Sequence, residues 1–286
     1  MVILFIGGNG FLGKTLVNSF KSIENSISNS LLYGVKSYPK KTIDNSLDHY
    51  FLTDLNELEL LSKINIDIVI NTAVLYGRND DQKLWETNVK MPLKLIEVIK
   101  NPDCLFINFG SFYTKHLDYV KLQNYRDSKI ALRESLKKLE KRKTVLLHLE
   151  HIYGNYDSKN KFVAKMLDLL TRNVDEIELT ECCQKRDFIH VSDVVQLIHL
   201  IINQRNNLNY CFNEFEVGTG ESVAVKKLLQ LMKKKTNSST KLSFGSLNLN
   251  PNEIMDSKAN IAPLNELFAW NPKVSLDQGI DDLISS

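Results

Sequence analysis

The stretch that most constrains the fold is GGNGFLGKTLV, which directly follows the apolar run VILFI at the start of the sequence. Gly7, Gly10 and Gly13 give it a GxxGxxG spacing. Glycines permit a tight turn and a close approach of the backbone to a pyrophosphate, and a helix N-terminus offers free N–H groups with a partial positive charge. The pattern therefore predicts a dinucleotide-binding strand, turn and helix.

Apolar runs alternate with helical patterns along the first half of the chain. VILFI, DIVINTA and CLFINFG are each followed by a helical pattern, and TVLLHLE comes next. Such alternation is typical of βαβ units on a parallel sheet, and strands that are apolar on both faces indicate helices on both sides. We predict an α/β fold, with a Rossmann-type doubly wound parallel sheet over residues 1–155.

The regular alternation of strand and helix patterns ends at about residue 150. Helix candidates lie at 161–172, 192–203 and 222–235, and the short runs EIEL, NEFEV and KLSF are strand candidates. This pattern predicts a smaller mixed α/β part over residues 156–286 that binds substrate, with some chain crossing between the two parts.

Composition excludes several classes of protein. The chain has 286 residues, 43% hydrophobic and 24% charged, and its net charge of +2 shows no commitment to nucleic acid or membrane. The apolar start is too short for a signal-peptide core or a membrane span. The four cysteines lack metal-ligand spacing. We predict a cytoplasmic protein with free thiols and no metal, nucleic acid or membrane partner.

The second predicted strand ends without the acidic residue that would accept the ribose hydroxyls of NAD. Residues 33–35 carry no carboxylate, and Lys36, Lys40 and Lys41 follow. A cationic cluster would hold the 2′-phosphate of NADP, and a solvated basic loop is the alternative. Asp54, in FLTDL, either caps a helix or accepts a hydrogen bond from the adenine amino group.

A tyrosine and a lysine four residues apart are either an exposed surface pair or a proton donor with its charge partner. Tyr125 and Lys129, in YRDSK, share one face of a predicted helix, and Ser111 ends the strand FINFGS. An ammonium about 4 Å from a phenol at an effective dielectric of about 20 is worth roughly 4 kcal/mol, or about three pKa units. If the pair is a proton donor with its partner, we expect Lys129 to lower the pKa of Tyr125 toward neutrality, where general acid catalysis works best.

Together with DIVINTA, ETNV, LEHIYG, QKRDFIHVSDVV, FEVGTGESV and FAWNPKVSLDQGI, these motifs resemble the extended short-chain dehydrogenase/reductase family over nearly the whole chain. The resemblance implies an NAD(P)-dependent oxidoreductase with Ser111, Tyr125 and Lys129 as catalytic residues and Asn88 in support. The implied cofactor-binding residues are Gly7, Gly10, Phe11, Leu12, Gly13, Lys36, Asp54, Leu55, Ala73, Tyr125 and Lys129. Many relatives form homodimers, so a homodimer is left open.

The residues after Ser111 limit the reactions that the chain is expected to catalyse. Family members that dehydrate nucleotide sugars need acids beside this serine, whereas Phe112, Tyr113 and Thr114 follow it here. A 4,6-dehydratase is therefore not expected. The remaining reaction class is hydride transfer to or from a carbon, carried out either by a net reductase or by an epimerase.

Within the family, INTAVLYGRND, LFINFGS and LEHIYGNYDSKNKF resemble reductases that form CDP-3,6-dideoxyhexoses. The resemblance implies that NADPH, rather than NAD, reduces a CDP-3,6-dideoxy-4-hexulose at C4 to CDP-paratose or CDP-abequose for O-antigen or related surface glycans. The alternatives are a dTDP-4-keto-6-deoxyhexose reductase and an NAD-dependent sugar-nucleotide epimerase. A third alternative is a redox-sensing protein on an inactive fold. Such a protein would normally have lost the tyrosine or the lysine, and both are present here.

The resemblance also suggests residues that bind a nucleotide-sugar substrate. Arg186, in QKRDF, matches the family arginine that meets the substrate phosphates, and its planar group suits bidentate donation. His151 and Lys161 either contact substrate or are ordinary polar residues. Arg78 either contacts substrate or pairs with a neighbouring aspartate. The predicted substrate-binding set is Arg78, Ser111, His151, Lys161 and Arg186.

Overall fold

A computed structural model of the chain describes residues 1–24, 30–35, 48–51, 55–76 and 80–285. In chain order, the strands and α-helices are β1 (Val2–Ile6), α1 (Phe11–Glu24), β2 (Ser30–Val35), β3 (Asp48–Phe51), β4 (Ile68–Asn71), α2 (Asp81–Trp85), α3 (Met91–Val98), β5 (Leu105–Ser111), α4 (Gln123–Lys137), β6 (Thr144–Leu149), β7 (His151–Tyr153), α5 (Phe162–Thr171), β8 (Glu176–Leu179), β9 (Lys185–Arg186), β10 (Phe188–His190), α6 (Val191–Asn203), β11 (Phe212–Val217), β12 (Val223–Ala224), α7 (Val225–Lys235), β13 (Lys241–Phe244), β14 (Asp256–Ser257), α8 (Ala262–Phe268) and α9 (Leu276–Ser285).

A seven-stranded sheet has the order β11, β6, β5, β4, β1, β2, β3. The pairs from β3 through β5 run parallel, with Leu4 opposite Leu32 on one side and Val69 on the other. The order reverses direction between β1 and β4, and ligands of open α/β sheets bind outside the carboxyl ends of the strands at such a point. The predicted Rossmann-type parallel sheet is confirmed.

The strand predicted from NEFEV has a different place from the one expected. We assigned it to the smaller part, but β11 lies at the edge of the main sheet beside β6. The Thr144 N–H donates to the Cys211 carbonyl and the Glu150 N–H to the Val217 carbonyl. Because β6 needs a partner for its outer backbone groups, a later stretch of chain supplies that strand.

The chain divides into two compact units, neither continuous in sequence. The first unit comprises Met1–Thr114, Lys121–His148 and Ile201–Phe215. Its core contains side chains from β1, β4, α3, β5 and α4, among them the fully buried Leu4, Leu95 and Leu136. Full burial of each such side chain contributes about 1.5–3 kcal/mol.

The second unit comprises Lys115–Val120, Leu149–Leu200 and Glu216–Ser286. Its strands form three small sheets, and β8 alternates exposed and buried residues because only one of its faces meets the core. That core packs α5, α7 and α9 around Leu170, Leu228 and Ile280.

In the described ranges, no helix is long and apolar enough to cross a membrane. The four cysteines are free. Cytoplasmic location and a homodimer stay predictions.

Candidate active site

The glycine-rich turn between β1 and α1 is closely packed at two glycines. Gly7 has a φ of +80°, and a Cβ placed there would lie 2.5 Å from the Ala73 nitrogen. A Cβ on Gly13 would lie 2.2 Å from the Gly7 carbonyl oxygen. The Gly10 N–H donates to that same oxygen at 2.9 Å. Only glycine fits at positions 7 and 13, whereas a Cβ on Gly10 would meet only the Gly7 carbonyl oxygen, at 3.3 Å. The turn therefore fits the backbone cradle that a pyrophosphate requires.

The other predicted cofactor-binding residues are placed as follows. Phe11 and Leu12 open α1 directly after the turn, and Ala73 follows β4 at the same edge of the sheet. Leu55 begins a 3₁₀ helix, Leu55–Lys63. The predicted cofactor-binding residues Lys36 and Asp54 lie outside the described residues, as does Arg78, which was predicted to bind substrate.

Ser111, Tyr125 and Lys129 are brought together inside the first unit. Ser111 ends β5, while Tyr125 and Lys129 lie one turn apart on α4, and all three are at most 5% exposed. Ser111 lies near enough to Tyr125 to lower its pKa, although burial acts more strongly in the opposite direction. The Lys129 ammonium lies 5.8 Å from the centre of the Tyr125 ring and donates to the Phe109 carbonyl at 2.8 Å.

The electrostatics of the pair differ from those expected from spacing alone. Burial, and secondarily the charge of Tyr76, raises the pKa of Tyr125 well above its ordinary value. Burial also lowers the pKa of Lys129 to about 8. We expected Lys129 to lower the Tyr125 pKa, but loss of water around both side chains outweighs their interaction. Tyr125 therefore holds its proton strongly.

Asn88 sits in a π-helical turn, Glu86–Lys90, between α2 and α3. Pro92 lacks an N–H and its ring clashes with the carbonyl four residues earlier, so the turn widens and the Met91 N–H bonds to the Glu86 carbonyl instead. The Asn88 side chain accepts from the Leu75 N–H at 2.9 Å and donates to the Leu75 carbonyl at 3.0 Å.

Two tyrosines contact the Tyr125 ring. Tyr76 lies against it with ring centres 4.7 Å apart. Tyr113 meets the same ring edge-on at 6.2 Å. Sequence reasoning gave Tyr76 no role, because no motif or spacing rule singled it out.

A charged group that we did not predict supports the end of β5. The buried His148 lies with Nδ1 3.2 Å from Thr114 Oγ1 and Nε2 2.7 Å from Glu214 Oε1. Arg133 also donates to Glu214. Burial alone would raise the pKa of Glu214, but His148 and Arg133 hold it at about 2. A Cβ on Gly110 would lie 2.4 Å from His148, so this glycine is required beside the histidine.

In the second unit, Arg186 is buried and already paired. Its guanidinium donates to the Ile254 and Lys185 carbonyls and to the Glu253 carboxylate, the last at 2.5 Å. His151 lies on β7 opposite Phe188 of β10. Burial lowers the His151 pKa, which Glu150 partly opposes.

Lys161, the other predicted substrate contact in this unit, is exposed and directly precedes α5. Ser111, which was also predicted to bind substrate, belongs to the first unit.

Lys115 joins two acidic residues of the second unit. Its ammonium lies 3.1 Å from Glu150 and 2.8 Å from Glu216, and it donates to the Lys258 carbonyl. Although burial lowers the Lys115 pKa, the bonds to Glu216 and Glu150 raise it overall. Glu216 is therefore an ion-pair partner of Lys115. Lys258 contributes its backbone carbonyl to this cluster.

Across the described ranges, no group of three or more His, Cys, Asp or Glu side chains could hold a metal ion.

Comparison with known proteins identifies the fold and its family. Residues 3–218 match the sequence model of the NAD dependent epimerase/dehydratase family. A CDP-abequose synthase of Salmonella muenchen is 32% identical over 295 residues, covering 99% of this chain and 97% of the relative. A dTDP-4-dehydro-6-deoxyglucose reductase of Escherichia coli is 26% identical, covering 99% and 96%.

Among solved structures, a UDP-glucose 4-epimerase of Thermotoga maritima with UDP-glucose has a TM-score of 0.82 to this chain. The two are 20% identical, and the alignment covers 100% of this chain and 98% of that one. At that identity the likeness shows the fold. The family match over residues 3–218 and the full-length likeness at 32% identity together show that the chain belongs to the NAD-dependent epimerase/dehydratase family and is an NAD(P)-dependent enzyme of the oxidoreductase type.

Proposed function

We propose that the protein reduces the C4 ketone of a nucleotide-linked deoxyhexulose with NADPH, and that the substrate is a CDP-3,6-dideoxy-4-hexulose. The observation that carries the proposal is the buried group Ser111, Tyr125 and Lys129 with no carboxylate in the three residues after the serine. The likeness to a CDP-abequose synthase supports the choice of CDP and points to CDP-abequose or CDP-paratose as product. Such a product would serve O-antigen or related surface glycans.

The side chains of the first unit would divide the work of reduction. The reduced nicotinamide, when bound, supplies a hydride. Tyr125 would donate its phenol proton to the ketone oxygen, and the Ser111 hydroxyl would hydrogen-bond that oxygen as negative charge grows on it. The Lys129 ammonium has three N–H donors, of which the Phe109 carbonyl takes one, so the others would serve the nicotinamide ribose hydroxyls. The glycine turn would hold the pyrophosphate.

The choice of NADPH over NADH rests on Lys36, Lys40 and Lys41, which lie outside the described residues. Opposite charge favours the 2′-phosphate of NADP.

The buried Arg186 would bind the diphosphate of the substrate. Arg186 would meet the diphosphate by exchanging its Glu253 partner for phosphate oxygens, since both are anionic acceptors for a guanidinium. His151 and Lys161 are proposed as further contacts of the nucleotide sugar.

The second candidate is reduction of a dTDP-4-keto-6-deoxyhexose. The full-length likeness to the dTDP-4-dehydro-6-deoxyglucose reductase favours it. The reaction at C4 would be the same, and the nucleotide would differ.

An assay across sugar nucleotides tests both candidates. The purified enzyme is incubated with CDP- and dTDP-linked 4-ketohexoses and either NADPH or NADH, and cofactor oxidation is followed by absorbance. We expect fastest oxidation of NADPH with the CDP-linked 3,6-dideoxy ketose, and NMR of the product assigns the C4 configuration. No oxidation with any nucleotide-linked ketose would overturn the proposal. Tightly held NAD with interconversion of two sugar nucleotides would identify an epimerase instead.

A further inference from the structure

A chain of polar side chains connects the backbone of Ser111 to the helix that carries Tyr125. The buried His148 of β6 lies with Nδ1 3.4 Å from the Ser111 carbonyl oxygen. Its Nε2 lies 2.7 Å from a carboxylate oxygen of Glu214, on β11. The two oxygens of Glu214 accept hydrogen bonds from the guanidinium of Arg133. All of these residues belong to the first unit.

Arg133 anchors this chain of contacts to α4. Tyr125, Lys129 and Arg133 are four residues apart in turn, so they follow one face of the helix. Arg133 holds Glu214, and Glu214 holds His148. The end of β5 is therefore tied to the helix that carries the proposed proton donor.

The bond to Glu214 decides which nitrogen of His148 carries a hydrogen. Although burial raises the pKa of Glu214, its bonds to His148 and Arg133 hold that pKa at about 2. The carboxylate is therefore ionised and only accepts hydrogen bonds, so Nε2 donates. With Nε2 held in this way, Nδ1 is directed at the Ser111 carbonyl and at Thr114 Oγ1, which lies 3.2 Å from it.

His148 packs against the backbone on both sides of the Ser111 side chain. A Cβ on Gly110 would lie 2.4 Å from Nδ1, so the ring fills the space beside the residue that precedes Ser111. Thr114 Oγ1 donates to the Ser111 carbonyl at 2.8 Å and also lies against Nδ1. The ring thus contacts the segment from Gly110 to Thr114, in which Ser111 lies.

We propose that His148 is a positioning residue that sets the Ser111 hydroxyl beside Tyr125 for the reaction. The inference rests on the proposed ketone reduction, in which Ser111 would hydrogen-bond the ketone oxygen. A donor to an oxygen that gains negative charge must be held within about 0.5 Å of its productive place. Glu214 and Arg133 act through His148, because they fix the orientation of its ring.

A double-mutant cycle tests whether His148 acts through Ser111. His148→Gln keeps a polar group near the position of Nε2 and removes Nδ1. We expect it to lower kcat at least about 10-fold, with KM for the nucleotide sugar within about twofold, and Ser111→Ala to lower kcat about 100-fold. In the Ser111→Ala background, His148→Gln should cost less than about a further twofold, because the hydroxyl that it positions is gone. Equal losses in both backgrounds, or an unchanged kcat in His148→Gln alone, would overturn the proposal.

Asn213→Ala is the matched control for a general loosening of the sheet edge. Asn213 precedes Glu214 in β11, and successive residues of a strand point to opposite faces. Its buried amide donates to the Thr144 and Asn209 carbonyls, so the control also loses buried hydrogen bonds of this strand. We expect kcat within about twofold of the wild-type value. A fall as large as that of His148→Gln would show that any damage to β11 slows the reaction, and the positioning role would be wrong.

NMR of the cofactor-free protein tests the positioning without turnover. The ring ¹⁵N signals of His148 identify the nitrogen that carries the hydrogen, and the amide signal of Ser111 reports the geometry of its backbone. Glu214→Gln should shift both, whereas Asn213→Ala should leave the Ser111 signal in place. An unmoved Ser111 signal in Glu214→Gln would overturn the proposal. Failure of every nucleotide-linked ketose to react would overturn the proposed function instead, and this measurement would still decide whether His148 holds Ser111.

Discussion

The buried catalytic candidates of the first unit and the buried charged residues of the second unit have different partners. In the first unit, Ser111 and Tyr125 are buried beside each other, and the Lys129 ammonium binds a backbone carbonyl. In the second unit, the buried Arg186 and Glu150 are held in ion pairs. Burial keeps a phenol protonated for transfer, whereas a site of paired charges is suited to exchanging one anion for another. The comparison agrees with our proposal that the first unit supplies the proton and that Arg186 of the second unit binds the substrate diphosphate.

The largest effect should come from the proton donor of the first unit. Tyr125→Phe removes the phenol proton and keeps the ring, so kcat should fall about 1,000-fold, within the range of general acid catalysis. Binding of NADP⁺, measured by calorimetry, should change by less than about threefold. Near-normal turnover would show that another group delivers the proton.

The next effect is on the folding of the second unit. Lys115→Met leaves Glu150, whose side chain is 1% exposed, without its cation. We expect a loss of about 3 kcal/mol in the free energy of unfolding in urea, as for a broken buried ion pair. Lys235→Met is the control, because its partners Asp277 and Asp281 are exposed, and it should cost at most about 1 kcal/mol. Equal losses would mean that burial of Glu150 does not matter.

Substrate recognition should respond to the guanidinium of the second unit. Arg186→Lys keeps the charge but loses the planar donors, so KM for the nucleotide sugar should rise about 10-fold while kcat stays within about threefold. Arg172→Lys, at an exposed arginine of the same unit, should change neither constant. A fall in kcat alone would move Arg186 from substrate binding to the chemical step.

The smallest effect is a pH dependence in the first unit. The Lys129 pKa is lowered to about 8, so the ammonium is present below that pH and lost above it. If the charged form binds the cofactor ribose, affinity for NADP⁺ should be about 10-fold weaker at pH 9 than at pH 7, one pKa unit above and below the midpoint. Lys129→Met should bind more weakly, with a flat profile. A flat wild-type profile would contradict the ribose contact.

The sequence predicted what depends on local patterns. The glycine spacing, the parallel strands and the placing of Ser111 beside Tyr125 and Lys129 follow from periodicity and from motif order. The sign of the Tyr125 pKa shift did not follow, because it depends on how many groups surround the ring.

Side-chain contacts between residues far apart in the chain could not be predicted from the sequence either. His148 and Glu214 are 66 residues apart, and Lys115 and Glu216 are 101 apart. No spacing rule connects such residues, since their meeting depends on the sheet order and on the connections between strands.

The position of β11 at the sheet edge has a consequence during synthesis. Residues 149–200, between β6 and the return of the chain to the first unit, must leave the ribosome before Phe212–Val217 can cover β6. Until then β6 presents an open edge of unpaired backbone groups, which is a template for association with other chains. A chain that stops shortly after α6 would keep all the proposed catalytic side chains and would leave this edge of β6 uncovered.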